Sequence, residues 1–307
     1  MRTPIRVAQW FLLSLTIAGS LAAQDSTRAD RFTLRDIFAL QWAADPQISP
    51  DGRHVAFERS SFDVMKDRDR SSLWMVDVDG GAARPLTNGT GSDHAPRWSP
   101  DGTRLLYVST AEGSADLYVR WMDSGQRAAI THLAHSPANL AWSPDGKWIA
   151  FTMFIPETPK SIVHMPSKPD GADWGPPIKY IDNLLYRRDG SGYVQPGHVH
   201  LFVVPAEGGA PRQLTSGPYN DGEPCWSPDG KSLLFSANRH DDAEYDPLND
   251  EIYEVSVDSG ALKPLTNRAG PDNSPAVSPD GKLIAFTGFD DKAQGYQVTH
   301  LYVMNRD

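Results

Sequence analysis

Cysteine is nearly absent from this sequence: Cys225 is the only one in 307 residues. No disulfide can form within the chain, so its fold must hold without one. An excess of positive charge is missing too. The 29 Lys and Arg are outnumbered by 39 Asp and Glu, leaving a net charge of −10. That balance lacks the cationic face a phosphate backbone needs, and excludes a nucleic-acid partner. Long apolar runs are missing with one exception, Val7 to Ala18, which falls short of the ~20 residues that cross a bilayer. Arg2 and Arg6 precede that run, and Gly19-Ser20-Leu21-Ala22-Ala23 follows it. This order predicts a secretory signal peptide over residues 1–23, cleaved after Ala22 or Ala23. No Cys stands at the cleavage region to carry a lipid. The expectation is an exported protein, periplasmic or extracellular, with no stable membrane span after cleavage. A last absence concerns chemistry. No G-x-S-x-G nucleophile elbow occurs; Gly230-Lys231-Ser232-Leu233-Leu234 lacks the second glycine. Without a nucleophile held by a base and an oxyanion hole, acyl transfer has no mechanism, and no residue qualifies as catalytic. No motif calls for a cofactor.

Glycine and proline, at 25 each, are plentiful, and they fall in a repeat. Ser-Pro-Asp-Gly follows Ile48, Trp98, Trp142, Trp226 and Val277, at spacings of 50, 44, 84 and 51 residues. Proline pre-sets φ for the first turn position, aspartate tolerates the second, and glycine takes the positive φ that reverses the chain. Strand-like runs flank each turn, such as Leu105-Leu106-Tyr107-Val108 and Trp148-Ile149-Ala150-Phe151. A second hairpin follows, as in Leu73 to Val78, Asp79-Gly80-Gly81 and Arg84-Pro85-Leu86-Thr87. Two hairpins per period of about 45 residues make a four-stranded antiparallel blade. The predicted fold is therefore all-β, a β-propeller with about five blade units near 45–87, 94–131, 138–215, 223–266 and 273–307. The last is incomplete and breaks off after Leu301 to Asp307, which predicts an open ring and a chain cut short. Residues 24–44 read as a lead-in arm carrying a short helix over Thr33 to Leu40, with Thr33 as its N-cap.

The third unit carries an insertion, residues 153–198. Its first part is Pro-rich and expected to be irregular; its second runs from Ile178 to Tyr193. Long excursions from a regular scaffold are where binding functions concentrate, although such a loop can also simply cap a blade edge. His198 and His200 alternate on a strand, too few for a metal site. The stretch His240 to Asp246, with Asp250 and Glu251, is an acidic loop without the regular spacing of an oxygen-ligand site. It reads either as a solvated loop or as a reader of Ca²⁺ or a peptide amino terminus. Asp51, Asp101, Asp145, Asp229 and Asp280 read as turn residues, and no metal site is expected.

The insertion and its surroundings carry a resemblance. Arg187-Arg188-Asp189-Gly190-Ser191-Gly192-Tyr193, His200 to Val204, Gly208 to Thr215, Ser236-Ala237-Asn238-Arg239 and Gly288-Phe289-Asp290-Asp291 together resemble the N-terminal propeller of prolyl-oligopeptidase-type (S9) serine peptidases. The branch is that of dipeptidyl-aminopeptidases and acylaminoacyl-peptidases, and the likeness covers most of residues 33–307. Ser-Pro-Asp-Gly blades are shared more widely, with TolB-type propellers. The resemblance implies a peptide substrate hydrolysed by a separate α/β-hydrolase domain, with propeller loops framing that substrate. It makes Tyr186, Arg187, Arg188, Tyr193, Glu244 and Tyr245 the candidate substrate contacts. The alternative is a stand-alone TolB-like propeller that binds a protein partner in the cell envelope.

Overall fold

The computed structural model describes residues 32–159, 162–163, 166–175 and 178–306. The signal-peptide reading of residues 1–23 lies outside the described residues. Among them, no helix is long and apolar enough to cross a membrane. The described residues begin with a 3-10 turn, Asp36–Ala39. Thr33 does not cap it. The N-cap is Arg35 without a side-chain bond, and Thr33 instead donates to Asp36 through both its N–H (2.6 Å) and its hydroxyl (2.9 Å). A longer helix does not form, because the backbone is already extended at Leu40 and pairs as a strand from Gln41.

Strands follow in five sheets. The first holds β1 (Gln41–Ile48), β2 (His54–Asp63), β3 (Arg68–Asp77) and β4 (Arg84–Pro85). The second holds β5 (Asp93–Trp98), β6 (Arg104–Ser109), β7 (Asp116–Trp121) and β8 (Arg127–Ala129). β9 (Pro137–Trp142) and β10 (Trp148–Pro156) open the third; after an insertion bearing β11 (Arg187–Arg188) and β12 (Gly192–Tyr193), β13 (Gly197–Pro205) and β14 (Arg212–Gln213) complete it. β15 (Cys225–Trp226), β16 (Ser232–Ala237), β17 (Glu251–Ser256) and β18 (Leu262–Pro264) form the fourth. The fifth has three strands, β19 (Asp272–Val277), β20 (Leu283–Gly288) and β21 (His300–Asn305). In every sheet the strands lie side by side in chain order and pair antiparallel, apart from the insertion. First strands of consecutive sheets touch one another, β1 to β5, β5 to β9, β9 to β15 and β15 to β19. They therefore line the axis, and the sheets radiate from it as propeller blades.

Each Ser-Pro-Asp-Gly turn is locked by its own side chains. In the third, Ser143 Oγ donates to Asp145 Oδ1 at 2.7 Å and accepts the N–H of Trp148 at 2.9 Å, while Asp145 also accepts the N–H of Lys147. The bond from the serine hydroxyl comes first among the effects that hold the Asp145 carboxyl below its ordinary range. Gly146 sits at φ 68°, a conformation a side chain would oppose. The tryptophan before the turn joins one sheet to the last: the indole N–H of Trp98 donates to Gln47 O, of Trp142 to Arg97 O, and of Trp226 to Ala141 O, all at 3.0–3.1 Å.

Apolar residues alternate along the middle strands, one set meeting the sheet before and the other the sheet after. Four hydrophobic clusters fill the four interfaces between consecutive sheets. Among the described residues, none joins the fifth sheet to the first. Leu73, Leu117, Leu201 and Ile252 hold one register position in β3, β7, β13 and β17, and all are fully buried by the next sheet. Leu301 holds that position in β21 and is 71% exposed. The architecture is an arc of blades with an open face at each end.

Candidate functional site

The two sides of the arc differ. Strand direction puts every Ser-Pro-Asp-Gly turn, and the glycine turns between third and fourth strands, on one side. The hairpin loops 64–67, 110–115, 238–250 and 289–299, the described residues of the insertion between β10 and β13, and the connections between sheets fall on the other. Short turns leave little surface for recognition, so the loop side is where a ligand would be met.

Two of these loops meet. The insertion's strands are bounded more narrowly than the period suggested: β10 and β13 run in continuous register from Trp148↔Pro205 to Pro156↔Gly197, so Met153 to Pro156 and Gly197 to His198 are blade. What protrudes ends in the hairpin β11–β12, with Arg187 paired to Tyr193 and Arg188 to Gly192. Tyr186 and Tyr193 lie 6.4 Å apart between ring centroids, and Lys179 Nζ sits 3.7 Å from the Tyr193 centroid. Such an ammonium over a ring is attracted by its quadrupole. The acidic loop approaches from the fourth sheet, where the Leu184 N–H donates to Glu244 Oε1. That loop is folded on itself, with Tyr245 N–H donating to Asp242 O (2.7 Å) and the Asn238 amide to Asp246 O (2.7 Å). Of the six candidates, Tyr186, Arg187, Arg188 and Tyr193 share one hairpin and Glu244 is tied to its base. Tyr245 stands apart at 79% exposure, with no ring contact to the hairpin among the described residues. The assembly presents exposed Ile178, Leu184, Leu185, Tyr186 and Tyr193 beside basic Lys179, Arg187 and Arg188, an apolar surface with a cationic rim.

Beneath these loops lies a layer of buried charge that sequence reasoning missed. Asp221, at the start of the fourth sheet, accepts from Arg239 Nη2 (2.6 Å) and the Thr215 hydroxyl (2.5 Å), and faces His200 Nδ1 at 3.4 Å. The Arg239 guanidinium is stacked among Tyr219, Phe235 and Tyr253, at 5.0–5.7 Å. Glu251 accepts from the Arg268 N–H (2.8 Å) and the Thr266 hydroxyl (2.5 Å), and Arg268 reaches Asp290 at 2.8 Å. Burial pushes the carboxyls of Asp250 and Asp272 above their ordinary range, against the Asn273 amide in one case and the Arg268 charge in the other. The available signal was the spacing Asp-x-x-Pro-x-(Trp/Val) at Asp93, Asp221 and Asp272. His198 and His200 do not act as a pair: each faces its own carboxylate, Glu157 and Asp221, at 3.4 Å. Among the described residues, no three His, Cys, Asp or Glu side chains are placed to hold a metal ion, and no serine hydroxyl hydrogen-bonds a histidine ring. The layer fixes loops in place; the surface above it offers binding.

Comparison with known proteins fits this architecture. A model of the TolB beta propeller domain matches residues 37–167 and 192–305. The chain belongs to the TolB β-propeller family. The unmatched gap, 168–191, falls within the insertion. Over 207 residues the chain is 34% identical to the uncharacterized peptidase YuxL of Bacillus subtilis, covering 67% of this chain and 31% of that one. It is 24% identical to dipeptidyl-peptidase 5 of Porphyromonas endodontalis, covering 93% of this chain and 44% of that one. The acylaminoacyl peptidase of Pyrococcus horikoshii superposes with a TM-score of 0.65 at 14% identity, over 87% of this chain and 38% of that one. At that identity the likeness is one of fold. The chain spans less than half the length of these relatives.

Proposed function

We propose that this chain is the non-catalytic propeller portion of an exported serine peptidase, and that its loop side meets the peptide before a separate hydrolase domain cuts it. The reading rests on the joining of the insertion hairpin to the acidic loop, on the one side of the arc where all long loops gather. The relatives named as peptidases support it. Tyr186 and Tyr193 supply aromatic contact area, Arg187 and Arg188 meet acidic or carboxyl-terminal groups, and Glu244 holds the hairpin at its base.

The test compares two proteins: residues 24–307 alone, and the product of the whole reading frame that contains them. Chromogenic dipeptidyl and acyl-aminoacyl substrates are hydrolysed by the second only. In it, Tyr186→Ala and Arg188→Ala raise KM roughly tenfold with kcat unchanged, the signature of lost uniform binding. A reading frame that stops directly after Asp307, or a whole product without hydrolysis, overturns the proposal. The match to the TolB propeller favours a second reading, a stand-alone module that binds an envelope protein. That reading gains if the frame stops there and the exported chain captures such a partner.

A further inference from the structure

Three sheets share a feature that the first one reverses and the third, with Pro137 paired to Met153, simply lacks. Where the first strand meets the end of the second, β5 pairs Asp93 with Ser109, the bridge before β15 pairs Asp221 with Ala237, and β19 pairs Asp272 with Gly288. All three carboxylates are buried. The corresponding pair in the first sheet is Ala43 with Arg59. The carboxylate is gone and a guanidinium stands across from its place.

Around that guanidinium the sheet forms a cavity of about 250 Å³, lined by Gln41, Arg59, Ser61, Arg70, Ser72 and Trp74. These side chains share one face because they are cross-strand partners: Gln41 pairs with Ser61, Arg59 with Ser72, and Ser61 with Arg70. The Arg59 guanidinium lies 4.3 Å over the Trp74 ring, and its Nε donates to Gln41 Oε1 at 3.0 Å, with Nη2 donating to the same oxygen. One edge of its fork is thus fixed and its plane is set by the indole. The indole N–H is itself turned onto Ser72 Oγ at 3.0 Å. No carboxylate lines the cavity. Two guanidinium groups facing one space, in a chain of net charge −10, are a local reversal of sign that an incoming anion would relieve. A planar fork held by stacking suits a planar, two-oxygen anion in particular.

We propose that this cavity is a binding site for a carboxylate group, gripped by Arg59 and Arg70 with the hydroxyls of Ser61 and Ser72 as further donors. It restores to the first sheet, from outside, the negative charge that the second, fourth and fifth sheets carry in their own sequence. The test follows the Trp74 indole N–H resonance, identified with Trp74→Phe, as acetate replaces chloride at constant ionic strength. The resonance should shift to saturation with a millimolar midpoint, while acetamide leaves it still. Arg59→Gln and Arg70→Gln should each weaken the midpoint by roughly tenfold, about one charge-assisted hydrogen bond, with the remaining indole resonances in place as the check on folding. Because Arg70 is exposed, its variant tests the site even if Arg59→Gln disturbs the sheet. An unmoved resonance, a midpoint unchanged from that of the parent protein in both variants, or saturation by inorganic phosphate at a tenfold lower concentration than acetate overturns the assignment.

Discussion

Ile252 and Leu301 occupy the same place in successive sheets, in similar apolar surroundings of sequence, yet the first is fully buried and the second is 71% exposed. The difference is supplied entirely by what stacks next: Ile252 meets Ile284 and Phe286 of the fifth sheet, and Leu301 meets nothing described. A single four-stranded blade cannot bury both of its faces. Stability in this molecule is therefore a sum over interfaces between neighbours, as in other repeat architectures. The interior sheets hold it together and the end faces are spectators.

That contrast can be broken at graded positions. The largest effect should come from the loop-side charges between interior blades. Asp221→Ala leaves the Arg239 guanidinium buried without its partner, and removal of one member of a buried ion pair costs about 3–5 kcal/mol, read from the midpoint of urea unfolding. Next is the register pair itself. Ile252→Ala should cost about 2–5 kcal/mol through lost burial and a cavity, while Leu301→Ala should stay within about 0.5 kcal/mol, as exposed substitutions do. Equal losses at the two positions would mean that the end face is covered. Smaller again is Trp142→Phe, which keeps the ring in its cluster but leaves Arg97 O without its donor; the cost is about 1–2 kcal/mol.

The smallest effect is one of pH. Burial, followed by the opposing Asn273 amide and the added charge of Glu251, leaves the Asp250 carboxyl above its ordinary range in the fold. A raised carboxyl penalises the folded state once ionised, so the penalty is absent below the unfolded value near ~4 and complete above the folded one. Asp250→Asn should thus stabilise the protein at pH 7, and the gain should vanish below about pH 4. The turn aspartates have the opposite sign. Asp145, lowered first by the Ser143 hydroxyl, supports the fold above the ordinary carboxylate range, and that support is lost as pH falls from that range through the lowered value of the folded state.

Much of this was written locally in the chain. Proline, aspartate and glycine in Ser-Pro-Asp-Gly determine a turn within four residues, so the repeat could be read as hairpins and the hairpins as an all-β propeller. The open ring was legible too, since the fifth unit breaks off after Leu301 to Asp307 without its last strand. What lay beyond reach depends on contacts between distant residues. The bond from Leu184 to Glu244 crosses 60 positions, and no local pattern announces it. Arg59 is an ordinary residue until its sheet is laid beside three others that carry aspartate across from its place. Thr33 is a residue type that caps helices, but strand pairing from Gln41 leaves only the short 3-10 turn Asp36–Ala39, whose N-cap is Arg35.

The most direct measurement is amide hydrogen exchange at the two matched positions. The Ile252 N–H donates to the Thr266 hydroxyl at 2.9 Å, as Leu73, Leu117 and Leu201 do to Thr87, Thr131 and Thr215. Leu301 has no such hydroxyl among the described residues. In residues 24–307, Ile252 should exchange only with global unfolding, and Leu301 should exchange orders of magnitude faster. Equal protection at both would contradict an arc with open ends.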